Sequence, residues 1–204
     1  MIDLKQEIRF YNIQECISFK KTTEKFGGLS NMAGGYSIVV NGIFIKSSEA
    51  LYQAMKYTNY PEIQMEIIKQ NSPMTAKMIS KKYKKNIRED WENIKVSIMK
   101  WSLRIKLCQN LDTFGNLLLE TNNIPIVEES TKDIFWGAKK VDNYYEGANI
   151  LGRLLMELRE LHKNYKFDSV KPLNLNNFYL NGENIRIVKQ NDKNNFIIKS
   201  GLFK

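Results

Sequence analysis

Trp91, Ile94, Ile98, Trp101 and Ile105 recur every three or four residues in a chain of 204. That spacing lays five large apolar side chains along one stripe of a single long helix, and such a stripe has to be covered by other elements. Asp90, just ahead of the stripe, reads as its N-cap. A second run, NILGRLLMELRELH from Asn149 to His162, reads as a buried leucine-rich helix. Two helices of this kind commit the chain to a largely helical core. The short β-branched runs that remain then have room for only a small sheet, which makes the expected class α+β, mostly helical.

The rest of the chain is divided by turn residues. Residues 7 to 19 alternate loosely, as one or two strands would. YSIVVNGIFI, residues 36 to 45, places Asn41-Gly42 between apolar runs; both residues tolerate positive φ, so a hairpin is expected. Ser47 and Ser48 can cap a helix from about Glu49 to Asn59 that Pro61 helps to end. A helix from about 62 to 70, another from Pro73, a helical stretch over 111 to 120 and a strand in IPIVEES complete the reading. Beyond Lys163 the composition shifts, with nine asparagines in the last forty-two residues. There ENIRIVK and NFIIK are expected to pair as a hairpin across QNDKN, giving a small basic appendage over 163–204 beside a main domain over 1–162.

The net charge of +9 favours a polyanion as partner, with ordinary solubility as the plain alternative. The charge is concentrated in KMISKKYKKNIR, where Lys77, Lys81, Lys82, Lys84, Lys85 and Arg88 stand without an acid, so this stretch reads either as a nucleic-acid or phosphate stripe or as a solvated helix face. No apolar run nears the ~18 residues that a membrane span needs. MIDLKQEIRF lacks a signal core, and Cys16 and Cys108 lack CxxC spacing, so a cytoplasmic protein with reduced thiols is expected. His162 is the one histidine, which leaves no zinc grouping and no histidine triad. Acid–base chemistry would fall to carboxylates or lysines.

Three stretches can carry chemistry. Glu49, Tyr52, Gln53 and Lys56 stand at i, i+3, i+4 and i+7 and share a helix face, which is either solvated or lines a cleft. Asp133 precedes Trp136 and Gly137, an arrangement that suits a sugar, or is a turn aspartate beside a core tryptophan. FGGLSNMAGG, from Phe26 to Gly35, is neither GxGxxG nor a P-loop; it is a turn, or a loop whose amides bind an anion. Lys20, Lys21 and Lys25 precede it, and a lysine drawn into a cleft becomes a nucleophile.

FKKTTEKFGGLSNMA, SSEALYQAMKY, SPMTAKM, REDWENIKVSIMKWSLRIKLCQN, LLLETNNIPIVEES, DIFWG and GANILGRLLMELR, in this order over about residues 17 to 162, resemble the NADAR family, also termed YbiA-like. The wording of FGGLSNMAGG, SSEALYQA and WGAKK looks most like the antitoxin branch paired with DarT-type toxins that attach ADP-ribose to guanine in DNA. The resemblance implies a single domain of that fold and a cofactor-free glycohydrolase. Its partners would be ADP-ribosylated DNA and a cognate DarT-type toxin. Relatives that hydrolyse N-glycosidic bonds of early riboflavin intermediates supply an alternative, and a non-catalytic ADP-ribose or nucleotide reader is a third.

Carried over by motif, Lys21 would capture the opened ribose as a Schiff base, Glu49 would serve as general acid–base, and Asp133 would steady oxocarbenium-like charge. Gly27, Gly28, Leu29, Ser30 and Asn31 would wrap the ribose-phosphate, with Tyr52, Gln53 and Lys56 lining the site. Trp136 would stack on base or ribose beside Gly137, and Asn149 and Gly152 would offer a helix N-terminus to a diphosphate. Two departures stand out: Ala50 replaces the family's usual histidine, and AKKVDNYYEG replaces the usual glycine-rich element after Trp-Gly.

Overall fold

The computed structural model describes residues 8–200; residues 1–7, which hold most of the N-terminal stretch read above for targeting and residue 7 of the first strand, and the last four residues lie outside it. In chain order the elements are β1 (Arg9–Asn12), β2 (Ile17–Phe19), β3 (Ile38–Val40), β4 (Ile43–Ile45), α1 (Ser48–Ala54), α2 (Pro61–Ile68), α3 (Pro73–Lys82), α4 (Trp91–Cys108), α5 (Asn116–Leu119), β5 (Ile126–Glu128), β6 (Lys139–Val141), β7 (Tyr144–Gly147), α6 (Ile150–Asn164), β8 (Ser169–Val170), β9 (Tyr179–Leu180), β10 (Glu183–Asn184), β11 (Val188–Lys189) and α7 (Asp192–Ser200). The class is α+β, mostly helical, with small sheets. Among the described residues no helix is long and apolar enough to cross a membrane.

The chain divides into two compact units, one holding the residues up to Ser30 with Asp112–Lys166, the other Asn31–Leu111 with the residues from Phe167 on. In the first unit β1, β7 and β6 form an antiparallel sheet, Arg9 opposite Gly147 and Val141 opposite Tyr144. The hairpin from β6 to β7 turns through Asp142 at φ 49, a conformation that aspartate tolerates. β2 runs parallel to β5, with Ile17 opposite Ile126, and α6 packs against β5. Phe19, Leu29, Phe114, Leu118, Leu151 and Leu155 form the buried interior.

In the second unit β3 and β4 form the expected hairpin, with Val40 opposite Ile43 and both Asn41 (φ 50) and Gly42 (φ 75) in the left-handed region. α1 packs against α2, α3 and α4. The stripe on α4 is buried as its spacing requires, Trp101 and Ile98 fully.

Several boundaries differ from expectation. α1 ends at Ala54 and passes into a 3-10 turn, Met55–Tyr57, and Pro61 opens α2 instead of closing the helix before it. Asp90 does not cap α4 through its side chain, because both carboxylate oxygens accept from Arg88, Nε at 2.6 Å and Nη2 at 3.0 Å. The segment 111 to 120 starts with a π turn, Leu111–Gly115, before the short α5.

The tail is built into the second unit. Trp101 donates its indole N–H to the Lys171 carbonyl at 3.2 Å, and its ring meets Phe178 edge-on with centroids 4.9 Å apart. Gln64 accepts from Asn181 N–H at 2.8 Å and donates to the Tyr179 carbonyl at 3.0 Å. Gln109 donates to the carbonyls of Val39 and Lys189 at 3.1 and 3.0 Å. The tail does contain a hairpin, β9 to β10 across Asn181-Gly182, but ENIRIVK and NFIIK do not pair with each other. Val188 pairs with Val170, and NFIIK belongs to α7, where Phe196 stacks on Phe44 with centroids 5.7 Å apart.

Candidate active site

α1 starts at an extended Ser47 whose Oγ accepts the Ala50 N–H at 3.2 Å, a side-chain cap that fixes the helical phase of the next two turns. Glu49, Tyr52 and Gln53 then fall on one face, and that face is not solvated: they are 4%, 5% and 3% exposed. The Glu49 carboxylate is held from both sides. Asn31 Nδ2 donates to Oε2 at 2.6 Å, and Gln53 Nε2 donates to Oε1 at 2.7 Å. Asn31 is itself oriented by Ser48, whose Oγ donates to Asn31 Oδ1 at 2.6 Å. Asn31, in the middle of the glycine-rich loop, therefore reaches the α1 carboxylate. A carboxylate fixed by two amide donors has no torsional freedom to lose when positive charge or a proton appears beside it.

Lys56 follows on the same face, in the 3-10 turn. Its ammonium lies 5.7 Å from the Tyr52 ring centroid and 5.3 Å from that of Trp91, and the two rings meet at 5.1 Å with a 56° tilt. Burial pushes the Lys56 amine down to about 8; the charges of Glu49 and Glu92 oppose the fall, and those of Lys77 and Lys81 add to it. Trp91, which helical spacing assigns simply to the core, thus forms one wall of a lysine site. The cue was its position on the first turn of α4, directly after the basic stretch.

In the first unit, the turn Gly27–Leu29 is closed on itself. Gly27 N–H donates to the Glu24 carbonyl (2.8 Å), Leu29 N–H to Phe26 (3.0 Å) and Ser30 N–H to Gly27 (3.1 Å), so these amides are not available to wrap a phosphate. A Cβ at Gly27 would overlap the Lys21 and Thr22 backbone, which explains that glycine by close approach alone. Lys21 is exposed, and its carbonyl accepts the Glu24 N–H at 3.2 Å. Lys20 pairs with Glu129 at 2.7 Å, and Lys25 lies 5.0 Å from the Phe26 ring centroid.

Asp133 is exposed, and its Oδ1 accepts the N–H groups of Phe135 (3.1 Å) and Trp136 (2.9 Å), the geometry of a turn aspartate. Trp136 is half-buried, edge-on to Phe135 with centroids 5.1 Å apart. Gly137 is required by packing, since a Cβ there would meet the Glu128 carbonyl.

The expected diphosphate site at the start of α6 is corrected by two observations. The N–H groups of Asn149, Ile150 and Leu151 donate to the carbonyls of Gly137, Phe135 and Trp136 at 3.1, 3.0 and 3.0 Å, so the positive end of the helix is already satisfied. The fully buried Asn149 side chain clamps β5, accepting Glu128 N–H at 3.1 Å and donating to the Ile126 carbonyl at 2.8 Å. Gly152 lets α6 approach that same strand, where a Cβ would collide with the Ile126 carbonyl oxygen.

Of the basic stretch, Lys77, Lys81, Lys82, Lys84 and Lys85 are exposed. Arg88 is not a phosphate contact. Its side chain is 7% exposed, and besides Asp90 it donates to the carbonyls of Asn176 and Asn177 at 2.8 and 3.4 Å and to Thr58 Oγ1 at 3.3 Å. It ties the tail to the turn before α4, at a cavity of about 510 Å³ that Lys85, Asn86 and Asn59 also line.

The predicted site residues thus fall into two sets. Asn31, Glu49, Tyr52, Gln53 and Lys56 converge in the second unit; Lys21, Gly27 to Ser30, Asp133, Trp136, Gly137, Asn149 and Gly152 belong to the first.

The NADAR domain model matches residues 18–162. The chain is 34% identical over 155 residues to the N-glycosidase YbiA of Escherichia coli (strain K12), covering 76% of this chain and 93% of that protein. It is 34% identical over 154 residues to a riboflavin biosynthesis protein of Vibrio vulnificus (strain YJ016), covering 76% of this chain and 40% of that one. To the chloroplastic riboflavin biosynthesis protein PYRR of Zea mays it is 35% identical over 157 residues, 70% of this chain and 24% of that one. The NMR structure of E. coli YbiA superimposes with a TM-score of 0.62 at 35% identity, covering 71% of this chain and 83% of the other. By the family model and by both kinds of relative, the chain belongs to the NADAR domain family.

Proposed function

We propose that this protein is an N-glycosidase that removes ADP-ribose from guanine bases of DNA, acting in the cytoplasm as the antitoxin to a DarT-type toxin. The observation that carries the catalytic reading is the Glu49 carboxylate, held by Asn31 and Gln53 within the residues 18–162 that match the NADAR domain. The branch-like wording of FGGLSNMAGG and SSEALYQA, the lysine at position 21 and the exposed lysines from Lys77 to Lys85 favour a modified nucleic acid as the substrate.

In this reading the Lys21 amine attacks the anomeric carbon of the ring-opened ribose. The bond from that carbon to the guanine amino nitrogen breaks, the nitrogen leaving with a proton, and a Schiff base remains. Water then adds to the imine carbon, the lysine leaves as amine, and free ADP-ribose is released. On the first unit Asp133 offers its second oxygen to the developing positive charge and Trp136 stacks on the ribose or base; on the second, the Glu49 carboxylate is the group held ready to take and return a proton. The catalytic portion is residues 1–162, with 163–204 as a basic, asparagine-rich extension.

The riboflavin-named relatives favour a second reading, hydrolysis of an early riboflavin-biosynthesis intermediate. Side-by-side assay of both substrates decides between them. Release of ADP-ribose from a guanine-modified oligonucleotide, lost in Glu49→Gln and Lys21→Ala, is expected. Turnover of the riboflavin intermediate alone would overturn the DNA reading, and tight ADP-ribose binding without any turnover would make the protein a reader. Borohydride trapping is expected to leave an adduct on the peptide carrying Lys21; a trapped adduct elsewhere removes that assignment.

A further inference from the structure

The cavity of about 510 Å³ beside Arg88 lies wholly within the second unit, and the chemistry assigned above leaves it unused. One wall runs from Lys85 to Asp90, a second is Thr58 to Tyr60, and the third is Asn176-Asn177 of the tail. The tail wall lies beyond residues 18–162, so this chain closes the cavity with residues outside the matched NADAR domain.

The walls are fixed by one guanidinium. Arg88 donates to the successive carbonyls of Asn176 and Asn177 and to Thr58 Oγ1, and Asp90 neutralises its charge. Phe178, next in the chain, is buried against Trp101. These anchors engage backbone and Arg88 but leave the other polar side chains of the lining unspent. The amides of Asn59, Asn86, Asn176 and Asn177 have no hydrogen-bond partner among the described residues, and neither Lys85 nor Glu89 has an ion-pair partner there.

Each amide offers two donors and an acceptor, the combination that matches the edge of a nucleobase. The volume lies in the range of small-molecule sites, and the half-buried Tyr60 adds a ring to the same lining. Glu89 and Asp90 disfavour a ligand that is only an anion. A nucleotide meets both signs: its phosphate suits Lys85, and an exocyclic amine of its base suits the free carboxylate of Glu89.

We propose that this cavity binds one nucleotide, with the asparagine amides and Glu89 taking the base and Lys85 taking the phosphate. The nucleotide has two sources, an unmodified residue of a nucleic-acid strand or a free mononucleotide. The inference deepens the function proposed above and rests on its choice of a nucleic-acid substrate, while strand binding and turnover are measured separately.

The test is fluorescence anisotropy on the full chain with a labelled, unmodified single-stranded oligonucleotide, and deoxyadenosine monophosphate as competitor. The pair Asn176→Ala/Asn177→Gly is expected to weaken strand binding about tenfold and to leave its salt slope unchanged, as loss of base contacts requires. Glycine keeps the left-handed backbone of Asn177, φ 52, and Arg88 holds only the carbonyls of this wall, so the anchors survive the substitutions. Lys85→Gln is expected to weaken binding and to lower the salt slope by about 0.7, as loss of one phosphate contact requires. Lys85 is an exposed position of a short turn, so this variant reports binding even if the asparagine pair fails to fold. Lys189→Gln, one unit of charge removed elsewhere in the same unit, is expected to change neither reading. Displacement of the strand by the mononucleotide assigns the free nucleotide as a ligand in its own right; binding of the strand without such displacement assigns the strand. The cavity is overturned if neither probe binds, if the asparagine and Lys85 variants bind like the parent, or if Lys189→Gln weakens binding as much. Release of ADP-ribose from modified DNA by a chain whose cavity variants bind normally sinks the cavity alone. Strand binding that depends on the cavity, without any release, sinks the glycosidase reading and leaves the cavity standing.

Discussion

Asn31→Asp replaces one NH₂ by an oxygen and changes nothing else in size, so it isolates the contact between the glycine-rich loop and α1. In the native protein Asn31 Nδ2 sits 2.6 Å from Glu49 Oε2, both residues nearly inaccessible to water. Two ionised carboxylates at that separation would repel by about 6 kcal/mol at an effective dielectric of about 20. The pair therefore retains a proton, and its upper folded-state pKa rises above the value near 4 that unfolded carboxyls have. A raised folded pKa makes stability full below about pH 4 and lost as pH climbs through the pair's folded value. With a rise of two to three units the variant loses about 3–4 kcal/mol between roughly pH 4 and pH 7 beyond whatever the parent loses. Urea unfolding of both proteins in steps across that window reads the difference directly. A stability gap that is the same at every pH would refute the argument, because it would mean that Asn31 and Glu49 do not meet.

Three further outcomes rest on the packing. Gly152→Ala forces α6 away from the Ile126 carbonyl and is expected to cost about 3 kcal/mol, read as a lowered thermal midpoint. Lys106 is fully buried, its amine 4.4 Å from the Tyr36 ring centroid, and burial pushes it down from 10.5 to about 7. For a lowered lysine the unfolded chain holds more protons, so stability rises with pH from about 7 to about 10; Lys106→Met flattens that rise, which melts at pH 7 and pH 9 detect. Phe178→Ala removes the ring set against Trp101 and is expected to cost about 3–4 kcal/mol in urea unfolding, with a red shift of tryptophan emission; a neutral result would show that the tail does not support α4.

How far the sequence carries depends on whether the signal is local. The Asn41-Gly42 hairpin, the α4 stripe and the α6 run are set by turn chemistry and periodicity within a dozen or so residues, and each forms as read. The shared face of Glu49, Tyr52 and Gln53 was legible for the same reason, but its burial was not, since that depends on Asn31 and on the helices around α1. Asn149 and Gly152 resembled ligand contacts because a helix starts beside them. Only the strand partner, β5, shows that their conformations serve packing. Arg88 stood in a run of lysines, yet a planar guanidinium with several donors was drawn inward by Asp90 and the tail carbonyls. NFIIK was too short an apolar run for periodicity to separate strand from helix, and its place in α7 is set by Phe44 on a distant hairpin.

The second unit takes its middle from residues 31–111 and its closure from residues 167–200, so its partners are synthesised far apart in time. Trp101 and Gln109 leave the ribosome long before Lys171, Phe178 and Lys189 exist to meet them. Until then an indole edge and one N–H donor of the Gln109 amide wait unmatched, and α4 is a hydrophobic surface open to other chains. Premature termination between the two segments should therefore yield a nascent product that chaperones hold, instead of a smaller working protein.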